Sequence, residues 1–303
     1  MSYQIVNRHP VQSLPAAGRN GFALAPDMAQ VGELRDEHAA EVLAFLAMRP
    51  VHTIVMTSFI NDNGLVSSLN RGTFYGFRDT EGKLEGVALI GHTTLVEART
   101  DESLKAFAFV ARESETPIHI IMSDGSNAES FWQYYSGGAR QPRLVCNELL
   151  FEIGFPVMVR ETTEDLRLAA EDELLEVAEA HAEVALTESG INPLEKDREG
   201  FLQRTLRRIR QERTFVVFEN GKLLFKADIV AETAEVIYLE GIYVAPDRRG
   251  AGAGAKYLSQ LSRLLLNRVK HVCLLSNVDF KEAHSAYLKA GFKSKDSCTT
   301  IFV

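Results

Sequence analysis

The sequence predicts an α/β chain with a mixed (α+β) sheet, organised as two successive domains, 1–160 and 161–303. Three observations carry this. At 242–266 a strand runs through a glycine-rich turn into a helix. The segments of the second half follow the order β-α-α-β-β-β-α-β-α-β. The first half runs through the same order, without the glycine-rich turn.

Taken in sequence, Asp36 to Met48 has the spacing of an amphipathic helix, and Val51 to Ile60 is a second apolar segment. Thr73–Arg78 and Leu84–Ile90 read as a hairpin around Glu81-Gly82, with Thr94–Ala98 as a further strand. A helix (Asp101–Arg112), a strand (Ile118–Met122), a helix (Asn127–Tyr135) and a strand (Leu144–Ile153) follow. The second half opens on a short strand, Leu166–Ala169, then a helix to Leu186 whose first turn is acidic at Glu171, Asp172 and Glu173. The loop Thr187–Glu195 leads to a helix over Asp197–Glu212. Thr214–Glu219 and Leu223–Val230 flank Asn220-Gly221, a strong hairpin signal. Ala234–Val244 feeds the turn and the helix Ala255–Leu266; His271–Ser276, a helix Phe280–Ala290 and the strand Ser297–Val303 complete the chain. No residue-level repeat is visible, so the duplication is one of order; an unrelated α+β domain is the alternative for the first half.

With 303 residues and a hydrophobic fraction of 46%, both halves can bury a core. The net charge of −8 argues against a general binder of nucleic acid or anionic membranes. Cys146, Cys273 and Cys298 are too few and scattered for a disulfide scaffold or a zinc site; Cys273 and Cys298 fall in apolar strands and read as core. His181, His271 and His284 show no metal-ligand spacing, and no metal is expected. Met1–Pro10 lacks an apolar leader core and no stretch approaches 18 apolar residues, so a cytoplasmic location is the expectation.

The turn reads Arg248-Arg249-Gly250-Ala251-Gly252-Ala253-Gly254. Alternate glycines let backbone N–H groups converge on an anion, and the following helix adds its unpaired N–H groups and dipole. No Lys-Ser/Thr follows, which excludes a Walker loop, and the spacing is not that of a dinucleotide fingerprint. Glycines serving only as turn punctuation are the plain alternative. Behind the turn lies "NVDFKEAHSAYLKAGF", in which Asn277 leaves a strand and Tyr287 precedes Gly291-Phe292.

Arg249-x-x-Gly252-x-Gly254, the preceding "GIYVAPDRRG" and this second string together resemble the cofactor motifs of the GNAT superfamily of N-acyltransferases. The tandem layout is similar to that of mycothiol synthase, and "FKAD", "DRRGAGAG" and the Tyr287 segment look closer to uncharacterised bacterial GNAT proteins. The resemblance implies two copies of the GNAT fold. It also implies acetyl-CoA as co-substrate and direct transfer of its acetyl group to a primary amine of a small molecule or protein. It places the cofactor on Ile242, Tyr243, Val244, Arg248, Arg249, Gly250, Ala251, Gly252, Ala253, Gly254 and Asn277. Arg248 and Arg249 suit phosphates or a solvated turn; Asn277 suits the pantetheine arm or a helix cap. A non-catalytic acyl-CoA sensor is the alternative function.

Acyl transfer needs a neutral amine, a stabilised oxyanion and a proton for the thiolate. Deprotonating a lysine-like amine at neutral pH costs roughly 4 kcal/mol, an α-amino group about 1 kcal/mol. Glu240 is the candidate base, or an exposed strand carboxylate; strict alternation puts it with Ile242 and Val244 on one face, opposite Gly241 and Tyr243. Asp228 and Glu235 are weaker candidates. Tyr287, by resemblance, protonates the thiolate; otherwise its ring packs on the sheet and its hydroxyl bonds a carbonyl. The Val244 N–H is the expected oxyanion donor, because the fourth strand parts from the fifth. Arg204, Arg207, Arg208 and Arg210 gather an acidic acceptor or form a solvated face. Glu188, Asn192 and Glu195 border the acceptor side and lean toward a cationic amine. Neither nucleic acid nor membrane is an expected partner, and the state is monomer or homodimer. In the first copy, Glu97-Ala98-Arg99-Thr100-Asp101-Glu102-Ser103 replaces the glycine turn, and its three acids face the place of a pyrophosphate and repel it.

Overall fold

The computed structural model describes residues 27–157 and 165–303; Met1–Pro10, the basis of the leader expectation, lies outside them. The elements in order are β1 (Val31–Glu33), α1 (Ala39–Leu46), α2 (Ile54–Asn63), β2 (Gly72–Arg78), β3 (Leu84–Gly91), β4 (Thr93–Ala98), α3 (Asp101–Glu113), β5 (Ile120–Asp124), α4 (Gly125–Ser136) and β6 (Leu144–Gly154). Then come β7 (Arg167–Leu168), α5 (Leu174–Ser189), α6 (Pro193–Lys196), α7 (Arg198–Arg210), β8 (Thr214–Glu219), β9 (Lys222–Glu232), β10 (Val236–Val244), α8 (Ala253–Leu265), β11 (His271–Asn277), α9 (Lys281–Ala290) and β12 (Lys293–Phe302). The expected elements are present within a few residues. Val51–Ile60 resolves into the helix α2, and β1 was not foreseen.

The described residues group into two compact units that are not contiguous in sequence. The first holds residues up to Val42, Leu65–Asn147 and Thr299–Val303; the second holds Leu43–Gly64 and Glu148–Cys298. A sequential division at 160/161 follows the repeat of element order. The compact units differ from it because β6 begins in the first and ends in the second, while β12 does the reverse.

In the first unit β1, β2, β3 and β4 pair antiparallel and β5 joins β4 in parallel. The end of the chain returns here: Val303 N–H donates to the His119 carbonyl at 3.0 Å and Arg143 N–H to the Phe302 carbonyl at 2.8 Å. Phe107, Ile121, Phe131 and Trp132 centre its core. In the second unit β7, β8, β9 and β10 pair antiparallel, β11 joins β10 in parallel, and β6 pairs antiparallel with β11 through Glu148–Gly154. Each unit therefore runs an antiparallel set into one parallel crossover through a helix, α3 in one and α8 in the other, the short connection favoured for parallel strands. The main core of the second unit lies on the α8 face, around Phe151, Phe225, Leu258, Leu261 and Phe292. No described helix is long and apolar enough to cross a membrane.

Candidate active site

The feature that opens the site is the end of a ladder. β10 pairs with β11 only as far as Leu239↔Leu274, whereas β11 continues along β6 to Asn277↔Glu148. From Glu240 onward β10 does not pair with β11. Ala245 N–H donates to the Leu224 carbonyl on β9 at 2.9 Å. Successive strand residues point their polar groups to opposite edges, so the Val244 N–H faces the gap. The expected parting of these strands is therefore present, with the Val244 amide on its edge.

A bulge accompanies the parting. Glu240 lies opposite Asp228 and Tyr243 opposite Lys226, so β10 uses three steps where β9 uses two. Strict alternation is thereby overturned: Glu240 and Tyr243 share a face, and Val244, opposite Phe225, takes the other. Gly241 makes this possible. Its φ of +57° is a conformation that side-chain-bearing residues rarely adopt, and a Cβ there would lie 2.8 Å from Lys226 Nζ.

Glu240 is solvent-accessible yet crowded by protein atoms, and this desolvation, above all, pushes its carboxyl upward; the Tyr238 hydroxyl, donating to it, opposes the shift. Glu188, in the last turn of α5, is pushed up to about 8 by desolvation and by the negative charges of Glu240 and Glu148. Register places Glu148 on the same face as Glu240, one strand away across β11. Sequence reasoning missed Glu148, because it sits on a strand that belongs in order to the first repeat. The loop expected over Thr187–Glu195 is largely helical, and Asn192 Nδ2 donates to Glu195 Oε1 at 3.0 Å.

The weaker base candidates do not survive. Asp228 is buried, accepting from Lys226 Nζ at 2.5 Å, Arg208 at 2.9 Å and Thr214 Oγ1 at 2.8 Å. Burial alone would raise its carboxyl, but Lys226, Arg208 and His181 outweigh that and hold it down at about 2. His181 is held down at about 3 by burial and the Lys226 charge, so it is neutral at pH 7. Glu235 is exposed at the other end of β10 and bonded to Lys270.

Tyr287 packs its ring edge-on against Phe151, with centroids 5.3 Å apart, and its hydroxyl bonds the Ser276 side chain. Burial pushes the phenol up to about 12, so it stays a proton donor across the physiological range. Asn277 Oδ1 accepts from Asp279 N–H at 2.9 Å, and the Asn277 carbonyl meets His284 Nε2 at 2.9 Å. Its side chain shapes the turn into α9.

The glycine turn leads into α8 through Gly252, whose φ is +85°, and no side chain caps the first turn of the helix. Its leading N–H groups are thus left for an anion. Ala251 and Ala253 add only methyl groups, and Gly254 packs against Val244, where a Cβ would come within 3.1 Å of Cγ2. Arg249 Nε donates to the Val244 carbonyl at 2.8 Å and its guanidinium to Glu183 at 2.8 Å; Arg248 pairs with Glu219. Residues 242–254 therefore fit a phosphorylated ligand at the turn and an extended one along β10. In α7, Arg208 turns inward to Asp228 while Arg204 and Arg210 pair with Asp197 and Glu171, so these arginines do not form a shared anion site.

The first unit lacks this device. Thr100 Oγ1 accepts from Ser103 N–H at 3.2 Å and caps α3. Asp101 bonds Lys105 at 2.6 Å and the Tyr134 hydroxyl at 2.7 Å. Its carboxylate supplies at the helix start the negative charge that a ligand would bring. Glu97 does not face a ligand position as expected: it is buried in β4, 3.6 Å from Arg99. Cys146 and Cys273 are buried free thiols, whereas Cys298 is only half-buried, because its part of β12 is largely exposed. Among the described residues no group of three or more side chains could hold a metal ion.

Residues 210–294 match the model of the acetyltransferase (GNAT) domain. An acetyltransferase from the GNAT family of Colwellia psychrerythraea is similar in structure, with a TM-score of 0.57 at 15% identity, over 90% of this chain and 99% of that one. A Drosophila protein gives 0.64 at 10% identity over 90% and 98%. A tandem GNAT protein from the clavulanic acid biosynthesis pathway gives 0.54 at 12% identity over 90% and 97%. At these identities the likeness is one of fold, and it extends over both copies. No curated protein matches the sequence.

Proposed function

We propose that this chain, a tandem GNAT-fold protein with an acetyltransferase (GNAT) domain over residues 210–294, is an acetyl-CoA-dependent N-acetyltransferase. The repeats, 1–160 and 161–303, divide the labour. The second carries the reaction and the first, with its helix start internally capped, serves as scaffold. The parting of β10 from β11 after Leu239 supports this most directly, since it opens backbone groups between a carboxylate and a phenol.

The N–H groups at Gly250–Gly254 hold the pyrophosphate, and the free edge of β10 at Ile242–Val244 receives the pantetheine as an added strand does. Arg248, Arg249, Tyr243 and Asn277 border that path. The bound thioester supplies an activated acetyl group. Glu240, flanked by Glu188 and Glu148, accepts the proton of the entering ammonium, directly or through a water. The Val244 N–H donates to the developing oxyanion, and Tyr287 gives its proton to the departing thiolate. The three carboxylates favour a cationic amine, a small molecule or a protein amine.

Thermal unfolding with and without acetyl-CoA, followed by thiol release with a panel of amines, tests this. Stabilisation together with amine-dependent thiol release is expected. Stabilisation without turnover would make the chain an acyl-CoA sensor, and no stabilisation at all would end the proposal.

A further inference from the structure

Lys226 is fully buried, a costly place for an ammonium. Its Nζ donates to Asp228 Oδ2 at 2.5 Å and to the Gly241 carbonyl at 3.1 Å. The first contact does not by itself account for a lysine here. Asp228 already has the Arg208 guanidinium at 2.9 Å on the same oxygen and Thr214 on the other. The second contact is different in kind, because Gly241 is the residue at which β10 bulges and Glu240 precedes it directly. Glycine adopts φ +57° without strain, so nothing in the peptide itself fixes the bulge, and the lysine contact supplies a bond that holds its carbonyl.

We propose that Lys226 is a positioning residue: from the buried face of β9 its ammonium holds the Gly241 carbonyl, fixing the bulge that parts β10 from β11 and setting Glu240 at the mouth of the gap. This rests on the acyl-transfer reading. It requires that Lys226 act on turnover through backbone geometry, not only on stability through charge.

The test compares wild type, Lys226→Met, which leaves Asp228 paired with Arg208 and Thr214, and the double variant Lys226→Met with Asp228→Asn, which removes the fully buried lysine and its carboxylate together. Lys226→Met is expected to lower kcat about a hundredfold, the scale of an ångström-level misplacement. In both variants kcat should stay low while the acetyl-CoA thermal shift persists. A double variant with wild-type kcat overturns the proposal. If neither variant folds, hydrogen–deuterium exchange on the wild-type protein decides: peptides covering Gly241–Tyr243 should exchange slowly, and exchange as fast as the exposed Asn220-Gly221 turn overturns it. A wild type that binds no acetyl-CoA and releases no thiol counts against the acyl-transfer reading instead, and the exchange measurement still judges the lysine.

Discussion

Glu240 lies opposite Asp228 in the β9–β10 ladder, and the two carboxyl groups are driven in opposite directions. Asp228 is buried between Lys226 and Arg208 and stays ionised. Glu240 reaches water at the parted strands, but crowding above all, with the Asp228 charge, favours its proton. One rung of the ladder thus holds a buried, paired carboxylate and an accessible, unusually basic one.

The acidic group sets the pH dependence. Amine-dependent kcat/KM should rise with pH as the raised Glu240 carboxyl ionises, with Glu188 beside it titrating at about 8. Glu188→Gln removes one negative neighbour, lets Glu240 ionise more readily, and should move the midpoint down by about one pH unit. Because Glu188 is raised in the folded state from 4.5 to about 8, its stabilising contribution is complete below pH 4.5 and is lost as pH rises through 8. The melting temperature should fall less steeply over that window in Glu188→Gln.

Gly252→Glu should abolish stabilisation by acetyl-CoA. At a ligand concentration a hundred times Kd the wild type gains about 2.7 kcal/mol. The variant places a side chain and a negative charge on a φ of +85° at the head of α8. An unchanged thermal shift would remove the glycine turn from the binding site.

Tyr287→Phe keeps the ring against Phe151 and loses only the bond to Ser276. Thiol release should drop roughly a hundredfold or more, the range for a lost general acid, with little change in melting temperature. Equal turnover at every pH would show that the phenol only packs.

Asp228→Ala leaves Lys226 and Arg208 as cations without their anion and should cost about 3–5 kcal/mol in urea unfolding. Glu240→Gln should cost far less while suppressing turnover. The contrast separates the two carboxylates of one rung.

Calorimetric titration should give one acetyl-CoA per chain, and Asp101→Asn should not create a second site, since Thr100 still caps α3. Two equivalents would mean that the first copy binds as well.

The order of elements and the glycine turn into α8 were legible in the sequence, because periodicity, turn chemistry and motif spacing are local. The face shared by Glu240 and Tyr243 was not legible, because alternation fails where a bulge intervenes. That bulge depends on Lys226, a side chain from the neighbouring strand. Glu148 and Ser276 became visible only when register brought β6 to β11 and α9 over the sheet. The sequence by itself determined two copies of one fold and one glycine turn that leaves its helix start uncapped, since a helix start is either capped from within or left open. Only the tertiary structure decided which strands complete each unit and which carboxylate is buried. Pairing and burial depend on residues far apart in the chain.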